Sequence, residues 1–339
     1  MLPLDGLTVI ELHAIGPVPF AGMQLQKMGA RVVRVCPPND RNIGIEIGAE
    51  ADLLNSGKEQ RQLDLKSADG IKQLHALLDE ADVLLEGFRP GVLERLNLAP
   101  AALITLHPRL VIGRLSGFGN QGDLSERAGH DINYLALSGV LASIGTRETP
   151  AIPLNLVGDF GGGAMHLLIG VLAQLVQRGI SGNGGVVTTS ILGGTIGLTP
   201  MIYGLIAGGR WDLARESNLL DGALPFYRVY KTRDEQHVAV GALEAKFFKG
   251  LLELTGLNHV IDAGKQWQSE HWPSMTMALS SAFASRDRDS WATDAAAIDC
   301  CVSPVLDFEE AAHYPHNLAN GWYDNQSFAK PVKFIDFNT

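Results

Sequence analysis

Three short stretches place acids or a histidine beside glycines. "LNLVGDFGGGAMHLLIGVLAQL" (154–175) sets Asp159 ahead of three consecutive glycines and an apolar run broken by His166. "RAGHDINYLALSGVLASIG" sets His130 and Asp131 just before another apolar helix, and "VGALEAKFF" offers Glu244 at a helix start. A histidine and a carboxylate make a workable acid–base pair, because one can be protonated while the other is not. Each has a plainer reading. Asp at a helix start caps the helix and meets the positive end of its dipole. His130 can be a loop histidine, and Glu244 an acidic first-turn residue on an exposed helix. At Asp159 the glycines add weight. A Gly-Gly-Gly tract costs backbone entropy and capping does not need it, so something is expected to approach that backbone closely.

Cations recur near expected strand ends: Arg34, Lys58, Lys66, Arg89, Arg95 and Arg127. Together they would suit a polyphosphate; singly each reads as solvated surface.

The elements that must position these residues follow an alternating rhythm. Residues 7–12 read as a strand, "GPVPFAGMQLQKMGA" turns into a helix, and "RVVRV" returns as a strand. "RQLDL" repeats the strand, "SADGIKQLHALLDEA" the helix with Ser67 or Asp69 near its cap, and "DVLLEGF" and "RLVIGRLSGFG" add strands. Such alternation predicts a parallel, doubly wound α/β sheet, whose ligands bind at the carboxyl ends of the strands. From about 218 to 305 the texture changes. "LPFYRVYKTRDEQHVAVGAL" reads as a β-hairpin turning at 233–236, and helical patterning follows over 244–257 and 269–297. A smaller α/β domain is expected there.

Composition excludes several classes. The chain has 339 residues and a net charge of -10, which argues against a nucleic-acid partner. Its three cysteines, two of them adjacent, form no disulfide or zinc framework. A cytoplasmic location is expected, since the first residues lack the basic and apolar regions of a signal peptide. Residues 160–177 and 186–209 are apolar enough to test as membrane spans. The second is rich in Gly and Thr, contains a Pro, and has no basic cluster at its start. A strand and then a helix, buried in a core or subunit interface, is the expectation, and no membrane partner. Neither a GxGxxG fingerprint nor a phosphate-binding P-loop follows the first strand, so the α/β pattern by itself predicts neither NAD nor ATP.

The chain resembles the family III CoA-transferases over nearly its whole length. "LDGLTVIEL", "MGARVVRV", "LDLKS", "ADVLLEGFRPGVLERL", "RLSGFG", "AGHDINYLALSGVL", "PLNLVGDFGGG", "LDGALPFY", "VAVGALE" and "CVSPVL" stand in family order. "GHDINY" with "NLVGDFGGG" and "VGALE" resembles the racemase branch, which acts on 2-methylacyl-CoA thioesters. That resemblance implies inversion of the carbon next to the thioester by two groups flanking a planar enolate. It assigns the pair to His130 and Asp159, with Glu244 in support and the N–H of Asp131 as a donor to the enolate oxygen. For the CoA moiety it implies Ala14 and Ile15, the segment Leu63, Asp64, Leu65 and Lys66, the run Glu86, Gly87, Phe88 and Arg89, and Arg95. Arg127, Gly129, Asp131 and Tyr134 belong to the same expected binding set. No metal is implied and no separate cofactor, because CoA is part of the substrate.

The family fold implied is a large Rossmann-like parallel-sheet domain over 1–190 with the tail 318–339 packed back on it, a linker helix over 191–217, and a small α/β domain over 218–317. Two such chains interlock as a homodimer, and Glu244 then belongs to its own or the partner's site. The same resemblance leaves a CoA-transferase open, with Asp159 as nucleophile; His130 argues against it, since transferases generally lack that histidine. A non-catalytic CoA-binding protein would not need His130, Asp159 and Glu244 together, and an NAD enzyme would need the missing glycines. Two departures stand out. Where the family has an acid and an arginine after the second strand, this chain has Cys36 and Pro37, leaving Arg34 or Arg41 to compensate. Leu219 replaces a family methionine of the acyl site, and Met201 is the sole methionine of the preceding apolar segment.

Overall fold

The computed structural model describes residues 1–38, 48, 50–323 and 332–334; Arg41 lies outside them. Two compact units form. The first holds Met1–Leu141 and Ile152–Pro200, with 332–334 near the C-terminus; the second holds Ala142–Ala151 and Met201–Tyr323.

In the first unit β1 (Thr8–Leu12), β2 (Arg31–Cys36), β3 (Glu59–Gln62), β4 (Val83–Glu86), β5 (Val111–Ser116) and β6 (Gly185–Ser190) form one sheet, in the order β3-β2-β1-β4-β5-β6. Every pairing is parallel. The inner strands are nearly continuous apolar runs because helices cover both faces. One face carries Val9, Val83, Val111 and the helices α1 (Pro17–Lys27) and α7 (Met165–Ser181); the other carries Ile10, Val33, Leu84 and Ile112 under α2 (Ala68–Leu78), α3 (Val92–Arg95) and α4 (Pro100–Leu106). Ser67 caps α2, its Oγ accepting the Gly70 N–H at 3.0 Å. The strand expected over 61–65 forms earlier, at Glu59–Gln62, since Asp64 already turns the chain into that cap.

Glu11 breaks the apolar pattern at the centre of the sheet. It is fully buried, and Lys58 Nζ donates to it at 2.7 Å and to the Pro19 carbonyl at 2.9 Å. Losing one partner of such a pair leaves the other charge buried alone, at about 3–5 kcal/mol. A methyl group on Gly22 would lie 1.8 Å from Glu11 Oε2, so α1 can cover the carboxylate only with glycine there.

Further along come α5 (Asp131–Ser138), α6 (Val140–Ser143), a π-helical segment (Leu156–Ala164) leading into α7, then α8 (Ile191–Gly197) and α9 (Pro200–Ala207). The linker helix expected over 191–217 is therefore two helices, one in each unit. Pro200 explains the break: it has no N–H to donate and forces the preceding residue out of helical conformation. Residues 156–181 form a helix long and apolar enough, by length and composition, to cross a membrane; one face of it, Leu167, Leu168 and Val171, is core under the sheet. The strand expected after 186 is β6, but α9 buries none of its residues.

The second unit is built on the antiparallel sheet β7 (Tyr227–Lys231), β8 (His237–Gly241) and β9 (Val302–Pro304). The hairpin turns at 232–236 as expected; β9 went unread. The helices α10 (Ala245–Thr255), α11 (Trp272–Phe283) and α12 (Arg288–Ala295) close the core around Phe226, Phe248 and Phe283, and α13 (Phe308–His313) and α14 (Pro315–Ala319) follow. Residues 142–151 join this unit because Arg215 donates to the carbonyls of Ala142 and Thr146. Of the tail expected to return over 318–339, residues 318–323 group with this unit and 332–334 with the first; the remainder lies outside the described residues.

Candidate active site

The first unit contains a cavity of about 590 Å³ at the carboxyl ends of its strands. Its walls follow β1 (His13 to Val18), β4 (Gly87 to Pro90), β5 (Gly117 and Phe118) and β6 (Ile191). β1 and β4 are neighbours whose chains then run to opposite halves of the sheet, which is where a doubly wound sheet opens a crevice.

Asp159 enters this cavity from the π-helical segment. Such wide turns are rare and recur at functional sites. Its neighbours explain the glycines. A methyl on Gly162 would fall 2.4 Å from Thr195 Oγ1, and one on Gly163 would fall 3.0 Å from Ile191 Cγ1. The tract therefore lets α8 pack directly on the backbone. The close approach expected at that backbone is made by α8. The close approach on the cavity side is at Gly16, where a Cβ would stand 3.3 Å from Asp159 Oδ2. Phe160 stacks on Phe20 of α1 with ring centroids 4.4 Å apart, which fixes the segment from the other side.

The Asp159 N–H donates to Asp131 Oδ1 at 2.7 Å. Gly158 makes that possible, since a Cβ there would lie 2.2 Å from the same oxygen. Burial pushes the Asp159 carboxyl up to about 6, with a further push from the Asp131 charge and an opposing hydrogen bond from Asn155. Burial also raises Asp131, and the bond from the Asp159 N–H opposes it.

His130 is the N-cap residue of α5, exposed, and lines the cavity. Its N–H donates to Asn133 Oδ1 at 3.0 Å. Tyr134 fixes the loop before it: its hydroxyl donates to the Gly129 carbonyl at 2.6 Å, and its ring packs edge-on to Phe118. Burial, then the Asp159 charge, raises the Tyr134 hydroxyl, against the Arg89 charge.

Ala14, Ile15, Gly87, Phe88, Arg89, Arg127, Gly129, His130, Asp131, Tyr134 and Asp159 all line this one cavity. Leu63, Asp64, Leu65, Lys66, Glu86 and Arg95 do not. Leu63 is core, and Asp64 Oδ1 accepts the Lys66 N–H at 3.0 Å. Glu86 is buried and accepts from the Phe88 N–H at 2.7 Å and from Arg114 Nε at 2.6 Å, so it shapes the turn that presents Phe88 and Arg89. Arg95 packs against Gly91, where a Cβ would lie 3.0 Å from its guanidinium. Glu244 belongs to the second unit, at the N-cap of α10. Among the cavity residues that the sequence reading did not name are His13, whose Nδ1 is 2.8 Å from Arg34 Nη2, and Gly16. Both stand in the loop just after the first strand, the position where a doubly wound sheet first meets its ligand.

The CoA-transferase family III model matches residues 4–335. The chain belongs to CoA-transferase family III. It is 43% identical over 315 residues to mouse alpha-methylacyl-CoA racemase, covering 93% of this chain and 80% of the relative. It is 40% identical over 321 residues to the human racemase of that name, covering 94% and 82%. The fold is also that of a CAIB/BAIF family protein from Brucella suis, with a TM-score of 0.83 at 22% identity, over 99% of this chain and 93% of the other. As a family III chain it has Cys36 and Pro37 at the end of β2, and Arg34 turned to His13.

Gly16 has φ 67° and ψ -109°, a region open to glycine alone. Gly16→Ala should cost about 1–3 kcal/mol in urea unfolding. An unchanged midpoint would show that the loop relaxes freely beside Asp159.

Proposed function

We propose that this chain interconverts the 2R and 2S epimers of 2-methylacyl-CoA thioesters. The observation that carries the reading is that His130 and Asp159, which enter from different elements, line one cavity that also holds Arg89 and Arg127. The 40–43% identity to two racemases over most of the chain supports the same reaction. The protein is then an isomerase, and CoA arrives as part of its substrate.

In one direction the Asp159 carboxylate removes the α-proton and leaves an enolate. Protonated His130 returns a proton to the opposite face, so the carbon is inverted and the two groups have exchanged protonation states. The reverse direction uses them in opposite roles. Asp159 suits both. At about 6, protonating it at pH 7 costs about 1.4 kcal/mol, against roughly 4 kcal/mol for a carboxyl at 3.8. Glu244 is the supporting carboxylate. The Asp131 N–H heads α5, among the amides a helix leaves without an internal acceptor, and serves as donor to the enolate oxygen. Arg89 and Arg127 hold CoA phosphates by charge-assisted hydrogen bonds. Arg95 and the 63–66 segment, outside the cavity, extend the CoA path, while Ala14, Ile15 and Tyr134 wall it. The functional form is an interlocked homodimer. Ile169, Val176 and Ile180 are 61%, 68% and 79% exposed at helical spacing on α7, an apolar row that a second copy would cover.

In deuterated water the protein should exchange the α-hydrogen of both epimers and interconvert them with no acyl acceptor present. His130→Ala and Asp159→Ala should each lose at least ~10²-fold in epimerisation. The direction that uses Asp159 as base should slow as pH falls through about 6, because protonation removes the base. Acceptor-dependent CoA transfer without α-exchange would replace this reading with the transferase one.

Arg89→Ala should weaken acyl-CoA binding by roughly 1.5–3 kcal/mol in calorimetry; equal affinity would remove Arg89 from the phosphate site. Light scattering should give twice the 36.4 kDa chain mass, and an active monomer would refute the dimer.

A further inference from the structure

We propose that the Asp131 carboxylate is a positioning residue whose negative charge, added to the effect of burial, raises the proton affinity of Asp159. This rests on reading Asp159 as one of the two acid–base groups.

The geometry fixes the two carboxylates as a pair. Asp131 Oδ1 takes the Asp159 N–H at 2.7 Å, and Gly158 leaves no side chain between them. Asp131 opens the first turn of α5. A charge-assisted bond from a backbone amide and a place in the first turn of a helix both favour an ionised carboxylate. Among the described residues Asp159 has no backbone donor of that kind; its own amide is spent on Asp131, and Asn155 supplies an uncharged side-chain bond. When two like charges share a site, the less stabilised one takes the proton. Asp131 therefore holds the negative charge, and Asp159 is the group that titrates near neutrality.

The surroundings do not cancel this effect. From α5, Tyr134 faces the pair as a neutral phenol whose hydroxyl is engaged with Gly129. Gly16, ahead of α1, carries no charge. Arg89, after β4, is a cation on the same cavity, and its charge acts on Tyr134. His130 and His13 line the same cavity. The arrangement gives Asp131 a second function besides its amide. On the proposed reading the amide serves the substrate oxygen, and the carboxylate tunes a base 28 residues away in sequence, whose own amide it accepts at 2.7 Å.

Asp131→Asn is the discriminating variant. It keeps an oxygen for the Asp159 N–H and removes the charge. The full-length protein, labelled with ¹³C at aspartate carboxyls, would be titrated by NMR, with the Asp159 signal assigned by its loss in Asp159→Asn. The expected result is a lower Asp159 midpoint in Asp131→Asn than in wild type, and an acid limb of α-hydrogen exchange that moves down with it. An unchanged or raised midpoint would overturn the proposal, because a purely structural bond is preserved in this variant. If Asp131→Asn fails to fold, salt provides the second measurement. Screening weakens repulsion between partly exposed like charges, so molar sodium chloride should lower the wild-type Asp159 midpoint, and a salt-independent midpoint would overturn the proposal. The carboxyl titration needs no turnover. A protein in which the Asp159 midpoint falls but no α-hydrogen exchanges would refute the racemase reading and leave the pairing standing.

Discussion

The hydrogen bond from the Asp159 amide to the Asp131 carboxylate ties the site together. It joins the π-helical segment to the start of α5, and so places the two candidate acid–base groups on one cavity. Several glycines exist to permit it. Gly158 leaves room for the carboxylate, Gly162 and Gly163 let α8 press the segment into place, and Gly117 leaves room for the Tyr134 hydroxyl, which a Cβ there would meet at 2.3 Å. Tyr134 in turn holds Gly129, the residue before His130. Each contact is short and directional, so the relative placement of His130 and Asp159 is set by packing of the backbone and not by the two side chains themselves.

Below this layer runs a line of charge through the sheet. Lys58 is bonded to Glu11, Arg34 lies 4.0 Å from the other Glu11 oxygen, and Arg34 reaches His13 in the cavity wall. A guanidinium can only donate, so His13 Nδ1 is the acceptor and the ring proton sits on Nε2. The pairing keeps the buried carboxylate compensated. It also occupies Arg34, three residues before Pro37. Arg34 is thus committed to the fold before any ligand arrives.

The site explains how one family frame can serve two reactions. An aspartate lining such a cavity is a nucleophile if a thioester carbonyl comes within reach and a base if a C–H does. What favours proton transfer here is a second acid–base group on the same wall, together with a carboxyl whose affinity for protons lies near neutrality. Burial is the largest cause of that shift, and the Asp131 charge adds to it.

Much of the larger unit was legible in the sequence. Apolar runs of strand length alternating with amphipathic helices specify a parallel sheet, and its ligands belong at the strand ends; both follow from local periodicity. Ser67 as a cap and the hairpin around 233–236 are equally local. The resemblance of "GHDINY" and "VGDFGGG" to a family picked out His130 and Asp159, which spacing by itself could not have joined. What local pattern could not supply were features that depend on a neighbour distant in the chain. The Gly-Gly-Gly tract announced a close approach without its partner, since α8 lies some thirty residues on, and the bond from Arg114 to Glu86 joins residues 28 apart. Asp131 looked like an amide donor only, since its carboxylate acquires a purpose through Asp159. Sequence determines which residues are apolar, charged or permissive, because those are properties of single side chains and their local order. Tertiary structure alone decides which of them meet out of water, and a carboxylate's proton affinity depends on that meeting.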